Sequence, residues 1–352
     1  MNSNQKHVDT NDILMPLKGR RMRLGSHEYK LTDAIATGPF SSVFLVEEDG
    51  TPYAMKVEAQ NGCLRPVLKL DHAVLSALGN QTGFPALSAS GRTDHFKYVV
   101  MQLVGPDLSM LLEFAPQNRF TPSTIYKIAL QTLDRLRVLH DAGWLNRDVK
   151  AQNFAVGLGE ESNIVYMLDF GLTRRYLEAD GRRHLMRPYG PSVGTYPYAP
   201  LTSLGFCDQS PIDDVEGWLY MVVHLLKGGL PWHCAKRSLN MAKVREWKIY
   251  LRRAGGKHRL FEGLNSGWCD VFETILKTAS HERPDYNKLS NMVLAIARAE
   301  RIDLTAPFDW QVNPVLRSLV RLGPLSCEEL TCPVGTPQSA DRCRLDTVLS
   351  PI

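Results

Sequence analysis

Asp148, Lys150 and Asn153 stand close together in the stretch Asn146-Arg147-Asp148-Val149-Lys150-Ala151-Gln152-Asn153, and Asp169-Phe170-Gly171 follows sixteen residues after Asn153. Moving a phosphoryl group onto a hydroxyl needs three things: a carboxylate to orient and deprotonate the hydroxyl, a cation on the travelling phosphate, and oxygen ligands for magnesium. Asp148, Lys150, and the pair Asn153 with Asp169 supply these in that order. Any one of these acids alone reads as an ordinary loop carboxylate, so the weight lies in the complete spacing.

Such a loop has to be held from both sides. Before it, Thr121-Pro122 reads as an N-cap and first turn, and Ile125, Ile128, Ala129, Leu133, Leu136 and Leu139 form one apolar stripe that Gly143 ends. After it, Ile164 to Leu168 reads as a short buried strand leading into Asp169. Further upstream, Val43 to Val46 and Tyr53 to Val57 flank Asp49-Gly50 and predict a strand hairpin. Apolar residues at 67, 68, 70, 74, 75 and 78 predict a helix stopped by Gly79, and Tyr98 to Leu103 is a continuous apolar strand. The first hundred residues are thus a small sheet carrying one helix. Beyond Gly105-Pro106 the pattern turns helical, with Asp214 to Leu226 apolar nearly all round and therefore expected inside the larger lobe.

Composition agrees with a compact globular chain: of 352 residues, 44% are hydrophobic and 22% charged, which excludes collagen-like or wholly disordered classes. The longest apolar run, Trp218 to Leu226 around His224, is far short of the roughly 20 residues that span a bilayer, so no membrane partner is expected. Met1 to Asn11 lacks the apolar core of a secretory signal, which points to the cytosol or nucleus. The seven cysteines (63, 207, 234, 269, 327, 332, 343) contain no C-x-x-C pair and read as reduced thiols. No oligomerisation signal is present, and a monomer is the expectation.

The catalytic stretch and Asp169-Phe170-Gly171 together resemble the H-R-D-x-K-x-x-N and D-F-G pair of protein kinases. Tyr53-Ala54-Met55-Lys56-Val57 is similar to the kinase strand whose lysine holds the ATP phosphates; period-2 alternation puts Ala54 and Lys56 on one face. Finer stretches resemble the casein kinase 1 superfamily and its tau-tubulin kinase-like branch. They include Val67-Leu68-Lys69-Leu70, Gly105-Pro106-Asp107-Leu108, Asn153-Phe154-Ala155, Asp213-Asp214, Leu230-Pro231-Trp232 and Arg283-Pro284-Asp285-Tyr286. The resemblance, over about residues 29 to 300, implies an α+β, two-lobed protein-kinase fold: a small antiparallel β-sheet lobe with one main helix, and a larger, mainly helical lobe. It implies an N-lobe 29–104 and a C-lobe 105–303; outside it, the polar, aperiodic residues 1–28 read as a flexible segment and the end richer in Pro, Ser, Thr and Cys as a largely irregular tail, 304–352. It implies ATP and Mg2+ as cofactors, and an ATP site of Ile35, Gly38, Phe40, Val43, Ala54, Lys56, Asp71, Met101 as gatekeeper, Gln102 and Val104 at the hinge, Ala155 and Leu168. By the same resemblance Thr195 ties the activation segment to Asp148 and Lys150, a serine/threonine-kinase feature.

Departures from the family pattern are specific. The glycine-rich loop is Ala36-Thr37-Gly38-Pro39-Phe40-Ser41, with one glycine left and a proline that removes a backbone N–H from the phosphate lid; weaker ATP binding or turnover is expected. The helix acid facing Lys56 is Asp71 rather than Glu, and Asn146 replaces a histidine that would stack on Phe170. Pro197 stands where the family has an arginine that reads acid or phosphate on the substrate, leaving Arg174, Arg175, Arg182, Arg183 and Arg187 as an alternative anion site. Another nine Lys or Arg against Glu246 alone lie between Lys236 and Arg259. A solvated basic face and a docking surface for acidic or phosphorylated protein both fit these runs; without interleaved aromatics nucleic acid ranks last. The leading expectation is an active serine/threonine protein kinase acting on acidic proteins, with a pseudokinase scaffold as the alternative.

Overall fold

The structure is a computed structural model and describes residues 10–38, 40–61, 66–178, 180–187, 189–233 and 240–322. Strands β1 (Arg21–Leu24), β2 (His27–Thr37), β3 (Ser42–Glu48), β4 (Thr51–Ala59), β5 (Leu87–Arg92) and β6 (Phe96–Gln102) form one antiparallel sheet in the order β1-β2-β3-β4-β6-β5. The β3–β4 turn falls at Asp49-Gly50, both with positive φ (50° and 80°), the conformation a two-residue hairpin needs and the reason those residue types stand there.

Alternation along β4 sorts the sheet into two faces. Met55 and Val57 join Phe44, Val46, Tyr98 and Val100 in a small outer core, while the other face carries cross-strand rows Val43–Lys56–Val99 and Leu45–Ala54–Met101–Leu87. Helix α2 (Leu68–Leu78) packs on that second face and ends at Gly79.

The lead-in expected to be flexible through residue 28 is ordered from Thr10: helix α1 (Thr10–Leu14), a 3-10 turn (Met15–Leu17) and β1 close the outer face, with Leu14 and Leu24 buried there. Three apolar residues, Ile13, Leu14 and Leu17, suffice to seat the segment, too few to show a period in the sequence. Residues 1–9 lie outside the described residues.

The larger lobe is built on α3 (Leu108–Phe114), α4 (Pro122–Asp141), α5 (Leu201–Leu204), α6 (Pro211–Lys227), α7 (Met241–Leu251), α8 (Lys257–Phe261), α9 (Gly267–Lys277) and α10 (Tyr286–Ala299). Thr121 caps α4 as expected, its hydroxyl accepting from the Thr124 N–H. α6 is buried on nearly every side and starts at Pro211, behind a Ser210–Asp213 capping box. Trp218 on α6 donates its indole N–H to the Ala129 carbonyl on α4 at 3.1 Å, fixing the two central helices against each other.

The irregular tail expected from 304 onward is corrected as far as Leu322: α11 (Asp309–Val312) and α12 (Pro314–Leu322) dock on the lobe. Trp310 is buried, stacks on Phe308, and donates to the Ser162 carbonyl at 2.7 Å, while Asp309 accepts from the Thr121 N–H and hydroxyl (2.6 and 2.7 Å). Trp310 and the buried stripe Leu316, Leu319 and Val320, at i, i+3 and i+4 on α12, together hold this segment. Residues 323–352 lie outside the described residues. Among the described residues no helix is long and apolar enough to cross a membrane, and Cys207 and Cys269 are free thiols; Cys63, Cys234, Cys327, Cys332 and Cys343 fall outside the described residues.

Candidate active site

Two short antiparallel pairs bring the catalytic stretch beside Asp169: β7 (Trp144–Leu145) with β10 (Arg174–Arg175), and β8 (Phe154–Val156) with β9 (Val165–Met167). The loop between β7 and β8 is anchored from below by Asp214 of α6, which accepts from the Asn146 and Arg147 N–H groups at 2.7 Å each and lies 2.8 Å from His140 Nε2. This anchoring holds Arg147 at a φ of 68°, a conformation unfavourable for a side-chain-bearing residue unless its surroundings impose it.

Asp148 sits at the centre. Its Oδ1 accepts from the Thr195 N–H and hydroxyl (2.9 and 2.8 Å), and its Oδ2 from Lys150 Nζ and Asn153 Nδ2 (2.7 and 3.2 Å). Lys150 also donates to the Thr195 hydroxyl at 3.2 Å. Thr195 can come this close because Gly194, at a φ of 97°, passes Arg147 so tightly that a Cβ would sit 2.6 Å from the Arg147 carbonyl oxygen. Asn146, the residue that departs from the kinase histidine, accepts the Asp148 N–H at 3.0 Å, so it locks the catalytic backbone; Phe170 stacks on Phe84 instead, 6.4 Å between ring centres.

Lys56 reaches across the cleft from β4. Its Nζ is 3.0 and 2.9 Å from the two carboxylate oxygens of Asp71 on α2, and 3.0 Å from Asp169 Oδ1. The ion pair therefore closes on the shorter acid. Burial works against the Lys56 ammonium, but Asp169 and Asp71 outweigh it and hold its pKa above the ordinary lysine value. Lys56 in turn holds the Asp169 carboxyl below the usual range, whereas burial pushes that of Asp71 up. Helix α2 is capped by Glu58, a residue the sequence reading passed over: it accepts from the Val67 and Leu68 N–H groups (2.7 and 3.1 Å) and from Lys97 (3.0 Å). Its position two residues after Lys56 on the same strand face was the available signal.

The expected adenine-contacting residues fall on two sides of the cleft. Ile35, Val43, Ala54 and Met101 are half-buried on the sheet; Val104 and Ala155 are buried with Tyr166 in one apolar cluster that Leu168 packs against. The hinge is pinned where Gly105 donates to the Val156 carbonyl at 2.7 Å. Gln102 directs its side-chain amide away from that strand contact, to Glu161 at 2.8 Å and Tyr166 at 3.3 Å. In the phosphate loop, Gly38 gives its N–H to the Ser41 carbonyl at 2.9 Å and Phe40 is half-buried; Pro39 lies outside the described residues. Asn153 commits its amide N–H groups to Asp148, leaving its amide oxygen, and the Asp169 side chain is 52% exposed. An amide oxygen and a carboxylate are hard ligands of the kind magnesium takes together with phosphate oxygens, so the donor set fits that ion.

Of the five arginines expected as an anion site, two converge, on one buried acid, and the other three lie apart from them. Arg174 and Arg187 both pair with Asp208, Arg175 with Glu178, and Arg182 with Asp180, while Arg183 lies over the Tyr176 ring. Nor is the run from Lys236 to Arg259 one basic face: Lys248 is buried, and Arg252 and Lys257 pair with Glu216 and Glu273. Lys243, Arg245 and Arg253 are exposed; Lys236 and Arg237 lie outside the described residues. Glu178 and Asp180 lie within three residues of the arginines they pair with, whereas Asp208, Glu216 and Glu273 meet their partners from sixteen or more residues away, and those distant pairings are what the charge runs hid.

Comparison with known proteins agrees with this geometry. The serine/threonine-protein kinase spe-6 of Caenorhabditis elegans is 40% identical over 289 residues, covering 82% of this chain and 76% of that protein. The protein kinase domain family model matches residues 29–294, taking in the Lys56 strand, the Asp148 loop and Asp169, and the chain belongs to that family.

Proposed function

We propose that the chain is an active serine/threonine protein kinase of casein kinase 1 type, transferring the γ-phosphate of ATP to hydroxyls of acidic proteins. The observation that carries this reading is the Asp148 carboxylate, oriented at once by Thr195, Lys150 and Asn153. Asp148 aligns the acceptor hydroxyl and takes its proton as the oxygen attacks phosphorus. Lys150 lies within reach of both Asp148 and Thr195, where it steadies the negative charge of the moving group. Lys56 holds the remaining phosphates, its charge already desolvated between Asp71 and Asp169. Asn153 and Asp169 would hold magnesium, which when bound neutralises phosphate charge. Ala155, Val104 and Leu168 offer an apolar surface for adenine.

Preference for acidic substrates is supported by exposed Lys243, Arg245 and Arg253 and by the net charge of +4. The shared stretches named above support the tau-tubulin kinase-like branch. The test is transfer of labelled γ-phosphate from Mg-ATP to casein by wild type beside Asp148→Asn and Asp169→Asn. Transfer that both substitutions abolish is expected. Wild-type transfer no greater than that of the variants, across a panel of acidic peptides, overturns catalysis in favour of a scaffold.

A further inference from the structure

Val244, Lys248 and Leu251 stand at i, i+4 and i+7 on α7 and are all buried, so a lysine occupies the middle of an apolar helix stripe. Lys248 is 0% exposed, and among the described residues no carboxylate makes an ion pair with it. Its Nζ instead donates to the backbone carbonyls of Tyr196 (3.3 Å), Pro197 (3.0 Å) and Ala199. The rings of Tyr220 and Trp232 flank it, their centres 4.4 and 4.9 Å away, and the Trp232 indole N–H donates to the same Pro197 carbonyl at 3.1 Å.

The chain bound in this way leaves directly from Thr195, the residue on Asp148. The Tyr198 and Ala199 N–H groups turn back to the Thr195 carbonyl (2.9 and 2.8 Å), and the carbonyls of the same short stretch meet Lys248. A lysine ammonium carries three donors on one compact head, matching three convergent carbonyls, where the wide planar head of arginine would not. Burial lowers the Lys248 pKa from the ordinary lysine range, and the three carbonyls and two ring faces act against that by favouring the ammonium form. A packing role alone would be met by any apolar side chain of this length.

We propose that Lys248 is a positioning residue for the protein substrate: by clamping the Tyr196, Pro197 and Ala199 carbonyls it fixes the stretch after Thr195 against which the acceptor peptide lies. This rests on the proposed kinase function. Loss of the clamp lets that stretch drift, and catalytic alignment is sensitive to displacements of about 1 Å.

The test compares wild type with Lys248→Met and Trp232→Phe in the full chain, measuring kinetics for ATP and for an acidic peptide separately. Lys248→Met is expected to lower kcat/KM for the peptide about tenfold while KM for ATP moves less than about twofold. Trp232→Phe, which keeps a ring over the amine but removes the second donor to Pro197, is expected to shift the same parameter in the same direction, by about two- to threefold. A second readout needs no catalysis: hydrogen exchange at the Tyr198 and Ala199 amides should quicken in Lys248→Met while that of α6 stays unchanged. Equal loss for ATP and peptide, or unchanged exchange at those two amides, overturns the proposal. If Lys248→Met does not fold, Trp232→Phe is read by the same two measurements and unchanged values overturn the clamp. If wild type transfers no phosphate, the kinase reading fails on its own and the exchange result alone decides the clamp.

Discussion

Two lysines lie buried in opposite lobes, and their surroundings differ in kind. Lys56, 8% exposed, is met by two carboxylates, one on α2 and one on the segment after β9; Lys248, 0% exposed, is met by neutral carbonyls and two aromatic rings. The result is opposite shifts: the acids hold the Lys56 pKa up against burial, and at Lys248 burial wins despite Glu216 nearby. A lysine held by acids on separate elements can exchange one for a phosphate, as ATP chemistry requires. Dipoles fixed in a backbone offer no such exchange, so the second lysine is an anchor. The comparison teaches that burial of a charge does not announce its role; the partner's ability to leave does.

The largest effect should come from the exchangeable end. Lys56→Met is expected to lower kcat/KM for ATP by about 10²–10³-fold, the usual cost of removing one electrostatic contact to the transition state. Steady-state kinetics check it, and a loss below tenfold would break the contrast with Lys248. Next in size, Asp71→Asn leaves Lys56 with Asp169 alone and should cost about tenfold in the same parameter. Asp71→Glu should cost about threefold, because α2 is set for the shorter acid. A glutamate variant faster than wild type would show that α2 is not set for aspartate.

Glu58→Ala removes the carboxylate that caps α2 and pairs Lys97, with an expected loss of about 1–2 kcal/mol in urea unfolding and a modest rise in KM for ATP. An ATP KM that does not move would separate the cap from the Lys56 site. The smallest effect is in the alkaline stability profile, where the two lysines should act with opposite sign. Lys56, raised above 10.5, contributes stability that is full below that pH and is lost as pH climbs through its higher folded value. Lys248, lowered below 10.5, contributes stability that is full above it and is lost as pH falls through its depressed value. Melting curves of wild type and the two methionine variants check this, read below about pH 10.5 for Lys248 and above it for Lys56. Slopes of the same sign for both would remove the physical basis of the comparison.

Much of the site was legible because its signals are local. Asp148, Lys150 and Asn153 share one loop, and the Thr121 cap, the Asp49-Gly50 turn and the α2 stripe each depend on residues a few positions apart. Harder to read were groups whose meaning comes from distant partners. Arg174 and Arg187 counted as a basic cluster until Asp208 met both, and Lys248 counted as surface charge although its spacing with Val244 and Leu251 already placed it on a buried stripe. Leu14 has too few apolar neighbours in sequence to reveal that it seats one end of the described chain, whereas at the other end the i, i+3, i+4 spacing of Leu316, Leu319 and Val320 was an available signal that the polar tail beyond it obscured.

The sequence by itself determined the family, the two-lobed order of elements and the loop that carries Asp148, because turn residues, caps and hydrophobic periods act over a few residues and need no tertiary partner. Only the tertiary structure decided that Asp71 closes on Lys56, that Asn146 secures the Asp148 backbone, and that Lys248 faces the carbonyls beyond Thr195. The physical reason is that charge and hydrogen bonding take their sign and strength from what lies within about 3–4 Å after folding, and chain separation does not encode that distance.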